Sequence, residues 1–316
     1  MRGRIHMLKL KKPDIKASAA ALWKDVKKNK VSYLFCAPYF ILFCLFTVVP
    51  VLMSMFLSFT SFNILEAPVF VGVQNYVRLF FDDRIFIEKA ISNTFIIAAI
   101  VGPVGYMICL FLAWMLNELP RILRMILTLI FFAPTIAGNI YFTFTYLFNN
   151  DSQGYVNALL IKYGIIQSPI LWFQDEKYMV TLIIVICLWT SVGTTFLSFI
   201  AGLQGIPAHY YEAGAIDGIK NRWQELWYIT LPSMKPQLMF GAVMSITGAF
   251  GVGSIVTALC GLPSTNYGAH TIMNHLEDFG NVRFEMGYAS AIATVLFVIM
   301  IGTNAVIKKM LARVGE

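Results

Sequence analysis

Residues Gly205 to Pro236 read GIPAHYYEAGAIDGIKNRWQELWYITLPSMKP, and they hold all six charged residues found between positions 178 and 276. On either side the chain is free of Asp, Glu, Lys and Arg, from Tyr178 to Tyr211 and from Pro236 to Leu276. Each charge-free stretch exceeds the length of about 20 residues with which a helix crosses ~30 Å of hydrocarbon. A charged loop between two such stretches predicts two membrane-spanning helices joined on one side of a bilayer.

The same pattern extends along the whole chain of 316 residues, of which 58% are hydrophobic and 13% charged. A charge at mid-bilayer costs roughly 2.5 to 3.5 kcal/mol, so apolar residues grouped into charge-free runs indicate spans. Six such runs predict an all-α membrane protein with six transmembrane helices. The predicted spans are residues 34–60, 91–116, 125–148, 179–204, 238–260 and 288–307.

Basic residues are distributed unequally over the segments that join the spans. The segments on one side, which include both termini, hold 18 of the 24 Lys and Arg, and those on the other side hold six. Because basic loops stay cytoplasmic, both termini are predicted to be cytoplasmic. Residues 1–30 form a basic cytoplasmic segment and residues 31–316 a transmembrane domain. The position of the basic segment directly before a span favours anionic lipid over nucleic acid as its contact.

Two short helices are predicted within the charged loop. Pro207 suits the first position of a helix and Gly218 the left-handed position just past its end, which gives a helix from Pro207 to Asp217. A second segment runs from Asn221 to about Ile229. Its apolar, largely aromatic face consists of Trp223, Leu226, Trp227 and Thr230. Docking into the groove of a partner protein and lying at the membrane interface as an amphipathic linker both account for this pattern.

Motifs for energy coupling and for catalysis are not found in the sequence. It contains no GxxxxGK[ST] phosphate loop, so any ATP hydrolysis must occur on another chain. The predicted spans lack the charged residues with which ion-coupled transporters bind their ion, and no motif of a membrane enzyme is present. His270 and His275, with Glu277 and Asp278 nearby, could ligate a metal, but their spacing favours a solvated outer-loop surface.

Four segments, taken in order along the chain, resemble one family. They are APYFILFCLFTVVPVLMSMFLSFTSFN at 37–63, FVGVQNYVRLF at 70–80, YYEAGAIDG and RWQELWYITLPSMKP within 210–236, and GYASAIATVLFVIM at 287–300. The third resembles the EAA loop of permease subunits of binding-protein-dependent ABC importers, in the carbohydrate-importing branch of the maltose and multiple-sugar type. The resemblance implies the type I ABC importer permease (MetI-like) architecture, with a cytoplasmic coupling loop at 205–237.

In that family the loop helix docks onto an ATPase subunit. The resemblance implies this role for Tyr211, Glu212, Ala213, Gly214, Asp217 and Gly218. The sequence departs from the family in two ways: Gly214 stands where Ala is usual, and ten residues rather than nine separate Gly218 from Ile229. Glycine in a helix costs roughly 1 kcal/mol relative to alanine, which predicts a slightly looser docking helix. The extra residue is expected to change the phase of the second segment more than the docking surface.

The resemblance also implies partners and a cellular location. The chain is expected to be a multi-pass subunit of the bacterial cytoplasmic membrane that pairs with a second related permease, usually as a heterodimer. It is expected to dock a dimer of ABC ATPases that use ATP and Mg, and to receive sugar from an extracytoplasmic solute-binding protein. The chain itself is expected to translocate a sugar or oligosaccharide by alternating access, with no catalytic residue, bound metal, cofactor or nucleic-acid partner of its own.

A neutral polyol requires hydroxyl, amide and aromatic partners, which uncharged spans supply, whereas an ionic substrate requires counter-charges. The resemblance places the substrate cavity at mid-membrane. The candidate lining residues are Asn139, Tyr141, Trp189, Thr190, Ser191 and Phe250. Each of them also suits helix packing, and Gly248, Gly251 and Gly253 suit a close helix approach or a helix break. A permease for a glycerol phosphate ester or a peptide, and a secondary transporter, are the alternative functions.

Overall fold

The computed structural model describes residues 28–138 and 141–312. Most of the basic segment 1–30 and the candidate residue Asn139 therefore lie outside the described residues. Within the described ranges the chain is built from helices, with one two-stranded antiparallel hairpin that pairs Thr60–Ser61 with Val69–Phe70. The all-α architecture predicted from the sequence is confirmed.

Five described helices are long and apolar enough to cross a membrane, and a bent helix pair adds a sixth if it counts as one span. We number them in chain order as spans 1 to 6, with the bent pair as span 3. The spans consist of Lys30–Phe43, Cys44–Val48 and Val49–Leu57 in span 1; Phe86–Ala90 and Ile91–Asn117 in span 2; Arg121–Ile136 and Tyr141–Leu147 in span 3; Glu176–Thr190 and Thr194–Gln204 in span 4; Lys235–Phe250 and Gly253–Cys260 in span 5; and Met286–Ala312 in span 6.

Span 1 contains a local change in helix type. Its middle part, Cys44–Val48, is a π-helical turn closed by a hydrogen bond from the Val49 N–H to the Cys44 carbonyl. Pro50 follows directly and lacks the N–H that would continue the regular α-helical ladder. Single π turns inside α-helices are a recognised way to absorb such an interruption.

Span 3 is not the single helix that the predicted range 125–148 suggests. The axes of Arg121–Ile136 and Tyr141–Leu147 differ by 87°. Pro134 lies in the last turn of the first helix, and Gly138 has a φ of +64°, a conformation that ends a right-handed helix. The continuous apolar run therefore conceals two helices of different direction.

Spans 2, 4 and 5 form the centre of the helix bundle because small residues let them approach closely. A Cβ at Gly241 would lie 2.6 Å from the ring of Phe199, and one at Gly105 would lie 3.1 Å from the Ser191 Cβ. Buried apolar side chains of the three spans surround these contacts, including Cys109, Phe196 and Leu238. This packing follows the rule that small residues at helix interfaces stabilise membrane bundles by close approach.

The segments predicted to be outer fold over one end of this bundle. The Asn75 amide donates to the Ser58 and Thr60 carbonyls, both at 2.9 Å, and the Gly287 N–H donates to the Phe62 carbonyl at 3.1 Å. A side chain at Gly287 would overlap the Thr60 carbonyl, so the start of span 6 lies directly against the hairpin. The remaining short helices outside the spans and the charged loop are Gln74–Val77, Arg78–Asp82, Tyr155–Lys162, Thr265–Tyr267, Ile272–Glu277 and Asp278–Val282.

Candidate functional site

The charged loop contains a short helix with well-defined ends, which we call the loop helix, Ala208–Ile216. Pro207, with a φ of −64° and a ψ of 137°, caps it and lies one position before the observed helical start. At the other end Gly218 has a φ of +91°, and two hydrogen bonds close the helix, from Ile219 N–H to the Gly214 carbonyl at 2.9 Å and from Gly218 N–H to the Ala215 carbonyl at 3.3 Å. This is the Schellman arrangement, so the predicted helix end is confirmed.

The loop helix presents one side to the protein and leaves the other uncovered. Gly214 is buried, and the Tyr211 hydroxyl lies 3.0 Å from the Thr230 Oγ1. Glu212 is exposed and makes no ion pair or side-chain hydrogen bond with any other residue in the described part of the chain. The other exposed members of the helix are Ala208, His209, Tyr210, Ala213, Ala215 and Ile216. A carboxylate surrounded by uncovered apolar and aromatic groups is a surface suited to another protein.

The second segment is helical over residues 222–233, four residues beyond its predicted end near Ile229, and it continues the loop toward span 5. Asn221 caps it through a hydrogen bond from the Gln224 N–H at 2.9 Å, and its centre, Leu226–Thr230, is a π turn. The predicted single aromatic face is not formed, because Leu226 and Thr230 are buried whereas Trp227 is 65% exposed. Leu226, Trp227 and Thr230 lie within the π turn, which rotates less per residue than an α-helix, so side chains spaced for a period of 3.6 residues do not share one side.

Arg222 ties the second segment to the connection between spans 2 and 3. Its guanidinium lies 2.8 Å from Glu118 and 2.7 Å from Glu225. The hydrogen bond from Arg222 to Glu225 and the charge of Glu118 raise the pKa of Arg222. Trp223 packs beside it on Trp114, with 5.1 Å between ring centroids. The loop is therefore held through Arg222 and Trp223 as well as through the loop helix.

A cavity of about 300 Å³ lies among spans 2, 3, 4 and 5, next to the break in span 4. Among the described residues that line it, none is Asp, Glu, Lys, Arg or His. Its hydroxyl-bearing lining residues are Thr135, Tyr141, Thr190, Ser191, Thr194, Thr195 and Ser245. The cavity is thus polar without being charged.

Several of these hydroxyls keep capacity to bind a ligand. Ser191 donates to the Leu188 carbonyl at 2.7 Å and Thr135 donates to the Val192 carbonyl at 3.1 Å, which leaves both oxygens able to accept. Thr194 and Ser245 make no side-chain hydrogen bond with other residues of the described chain. The cavity therefore offers both donors and acceptors to a polyhydroxylated molecule.

The structure brings together three of the candidate cavity residues, Tyr141, Thr190 and Ser191. Trp189 faces a separate apolar groove between spans 2, 3 and 4, where its ring packs edge-on against Phe144. Phe250 is buried in the core formed by spans 2, 5 and 6 and their outer connections. Sequence reasoning missed Thr135, Thr194, Thr195, Ser245 and Gly248 as lining residues. The available signal was the polar run from Thr190 to Thr195 around Gly193.

The loops predicted to be outer contain a chain of buried, hydrogen-bonded polar side chains, which corrects one expectation. His270 and His275 are buried, not solvated: His270 Nε2 lies 3.1 Å from His275 Nδ1, and His275 Nε2 lies 2.9 Å from Asp83 Oδ2. The Tyr288 hydroxyl donates to the same Asp83 oxygen at 2.8 Å. Burial opposes ionisation of Asp83, but hydrogen bonds from His275, the Phe86 N–H and Tyr288 outweigh it and hold the pKa well below its usual range. In the described ranges no three His, Cys, Asp or Glu are placed to hold a metal.

Acid is expected to destabilise this outer region through His270. Burial, followed by the neighbouring His275, lowers the pKa of His270 from 6.5 to about 4. The unfolded chain therefore binds a proton between these two values that the folded chain does not, so the free energy of unfolding falls as the pH drops from about 6.5 to about 4. The measurement is the thermal midpoint of the purified protein at pH 7.5 and at pH 4.5.

His270→Gln is neutral throughout this range and can still hydrogen-bond His275, so its midpoint should fall less on acidification than that of the wild type. His209→Asn, on the exposed side of the loop helix, is the matched control and should retain the wild-type acid sensitivity. Equal acid sensitivity in the His270 variant and the wild type would contradict the assignment.

Comparison with known sequences gives a consistent set of relatives. Residues 105–314 match the family described as binding-protein-dependent transport system inner membrane component. The probable ABC transporter permease protein YesP of Bacillus subtilis (strain 168) is 34% identical over 280 residues, which cover 87% of this chain and 88% of that protein. The arabinooligosaccharides transport system permease protein AraP of the same organism is 29% identical, with 91% of each chain covered. The lactose transport system permease protein LacF of Rhizobium radiobacter is 31% identical, over 68% of this chain and 71% of its own length.

A solved structure has a similar fold. It is described as the crystal structure of a bacterial ABC transporter involved in the import of the acidic polysaccharide alginate. The superposition gives a TM-score of 0.75 with 24% identity and covers 94% of this chain and 100% of the matched chain. At that identity the likeness establishes the architecture of the helices and leaves the substrate to other observations.

Proposed function

This chain belongs to the family of binding-protein-dependent transport system inner membrane components, and from that premise we propose that it carries a neutral sugar or oligosaccharide across the cytoplasmic membrane. It is a permease subunit of an ABC importer and not an enzyme. The names of its relatives, which include permeases for arabinooligosaccharides and for lactose, support a carbohydrate substrate.

The observation that carries the substrate proposal is the uncharged, hydroxyl-lined cavity. Sugars are recognised through hydroxyl groups and apolar ring faces, and the lining of Thr, Ser and Tyr side chains beside Val101, Met244 and Ile255 offers both. A glycerol phosphate ester would enter a low-dielectric region without a cationic partner, which is costly. These facts favour a neutral polyol over an ionised solute.

The loop helix supports a role in energy coupling. The sequence has no phosphate loop, so ATP and Mg are used by a partner ATPase, for which the uncovered side of the loop helix supplies a contact. Tyr211, Glu212, Ala213, Gly214, Asp217 and Gly218 are the proposed docking and coupling residues. The excess of basic residues in the loop, termini and short connection between spans 2 and 3 supports a cytoplasmic position for this surface.

The proposed assembly contains three kinds of partner. A second, related permease completes the pathway, since the uncharged cavity among spans 2 to 5 of this chain, at about 300 Å³, is small for an oligosaccharide. An extracytoplasmic solute-binding protein delivers the sugar, a proposal supported by the family description itself. Alternating access then exposes the cavity to one side and the other as the ATPase dimer closes and opens.

Deletion of the chain from its native cell, followed by complementation, tests this function. We expect loss of uptake for one or more labelled neutral oligosaccharides and recovery with the wild-type chain, whereas uptake of uronate oligosaccharides and of glycerol phosphate is unchanged. Uptake should survive a proton ionophore while cellular ATP is maintained. Uptake abolished by the ionophore at constant ATP would identify a secondary transporter, and loss restricted to anionic solutes would overturn the neutral-sugar assignment.

A further inference from the structure

The contact between the loop helix and the second segment is unusually close at one point. An added Cβ at Gly214 would lie 2.5 Å from Ile229 Cδ1 and 3.1 Å from Ile219 Cδ1. Real Cβ atoms essentially never lie at the shorter distance, so a side chain at position 214 requires the tip of Ile229 to move. Glycine inside a helix costs roughly 1 kcal/mol, and this close approach gives a physical reason for its presence here.

A π turn brings Ile229 to this position. The turn, Leu226–Thr230, is closed by the Leu231 N–H on the Leu226 carbonyl, and it adds one residue to the helical path. The Thr230 hydroxyl donates to the Glu225 carbonyl at 3.2 Å. Since that hydroxyl has one proton, the Tyr211 hydroxyl, at 3.0 Å, donates to Thr230. The π turn and the loop helix are therefore joined by a hydrogen bond next to the Gly214–Ile229 contact.

The second segment meets span 5 at a single non-helical residue, Met234, which has a φ of −94° and a ψ of 9°. Met234 is fully buried, and its N–H donates to the Thr230 carbonyl at 3.0 Å. Lys235 then begins the helix whose Ser245 and Gly248 line the central cavity. The Leu238 N–H in turn donates to the Met234 carbonyl at 2.9 Å, so hydrogen bonds on both sides of Met234 connect the π turn to the helix that reaches the cavity.

We propose that Gly214, Ile229 and the π turn Leu226–Thr230 form a fitted joint through which movement of the loop helix reaches span 5, and that the missing side chain at position 214 is matched to the extra residue of the turn. The inference rests on the proposed coupling role of the loop helix. Gly214 and Ile229 are positioning residues, since both act through the helices that they join.

An exchange of side-chain volume tests the joint. Gly214→Val adds three carbon atoms at the contact and Ile229→Ala removes three, so the double variant restores the total volume. We expect Gly214→Val to reduce the sugar imported per ATP hydrolysed by about tenfold, because overpacking separates the loop helix from the second segment. The double variant should recover to within about threefold of the wild type. The assay uses the assembled transporter in membrane vesicles, normalised to the amount of ATPase subunit that co-purifies.

Other variants separate a coupling role from simple misfolding. Gly302→Val, at a span 6 position where an added Cβ meets open space, should keep the wild-type ratio. If Gly214→Val fails to accumulate, Tyr211→Phe replaces it, and removal of the donor to Thr230 should lower the ratio without lowering the protein level. An unchanged ratio in both single variants, or a Gly214→Val loss that Ile229→Ala does not reverse, would overturn the joint. Co-purification of the ATPase in those cases would overturn the joint and leave the proposed function intact.

Discussion

Replacing Glu212 by Lys should abolish ATP-driven sugar uptake while the protein still inserts into the membrane. Glu212 is exposed on the loop helix and has no ion-pair partner among residues 28–138 and 141–312, so its charge is available to another chain. A carboxylate that anchors a protein contact pairs with cationic or N–H groups of the partner. Lysine at this position would place a positive charge and N–H donors opposite the cationic or N–H groups of the partner. This repulsion costs several kcal/mol and weakens docking by more than about 100-fold.

Two measurements check this expectation in cells that carry a tagged chain in place of the native one. Uptake of the transported sugar should fall to the level of the deletion strain, and the ATPase subunit should no longer co-purify. Glu66→Lys makes the same charge change on an exposed carboxylate of the hairpin loop, outside the proposed docking surface, and should retain the ATPase. Normal uptake by the Glu212 variant would remove the loop helix from the coupling mechanism.

The sequence predicted the loop helix well because its ends depend on local chemistry. The position of Gly218 requires only that the chain adopt a left-handed conformation after a helix, and the observed φ of +91° meets that requirement. Five of the six spans were predicted equally well, because the cost of burying charge in hydrocarbon acts on every segment independently of its neighbours, whereas the bend in span 3 was not predicted. In both cases a few adjacent residues are enough to determine the local structure.

Features that depend on contacts between distant residues were not predictable in the same way. The burial of His270 and His275 follows from Asp83, which is 192 residues from His275 in the sequence. The close packing at Gly214 likewise follows from the π turn around Ile229. The extra residue between Gly218 and Ile229 predicted a changed helical phase in the second segment, but not a π turn. Predictions from helical periodicity assume 3.6 residues per turn, so they misplace side chains where the helix contains a π turn.

The residues that line the cavity were predicted only in part. Thr190 and Ser191 were recognised because polar side chains at mid-span are costly and therefore informative. Trp189 is adjacent to them in sequence, but a helix rotates successive side chains by about 100°, and Trp189 faces a different groove. Which side of a span faces a cavity is set by the neighbouring spans, and the break at Gly193 changes that direction again within span 4.

Filling the cavity should abolish transport without disturbing assembly, which separates the pathway from the coupling surface. Gly248 lines the cavity on span 5, and an added Cβ there meets open space, so Gly248→Phe is expected to place its ring in a volume of about 300 Å³ without a clash at the backbone. Replacing glycine within a helix also removes a conformational cost of roughly 1 kcal/mol, so loss of folding is not the expected outcome. Sugar uptake should fall to the level of the deletion strain.

The ATPase subunit should co-purify normally with the Gly248 variant, in contrast to the Glu212 variant, because the loop helix is unchanged. Gly302→Phe is the matched control, since Gly302 is also an exposed helical glycine with open space around its Cβ position, but it does not line this cavity. If uptake of an oligosaccharide continues in the Gly248→Phe variant, the solute does not use this cavity, and the uncharged lining no longer supports a neutral substrate. Loss of uptake in the Gly248 variant alone, with the ATPase retained, is the result that places the sugar among spans 2 to 5.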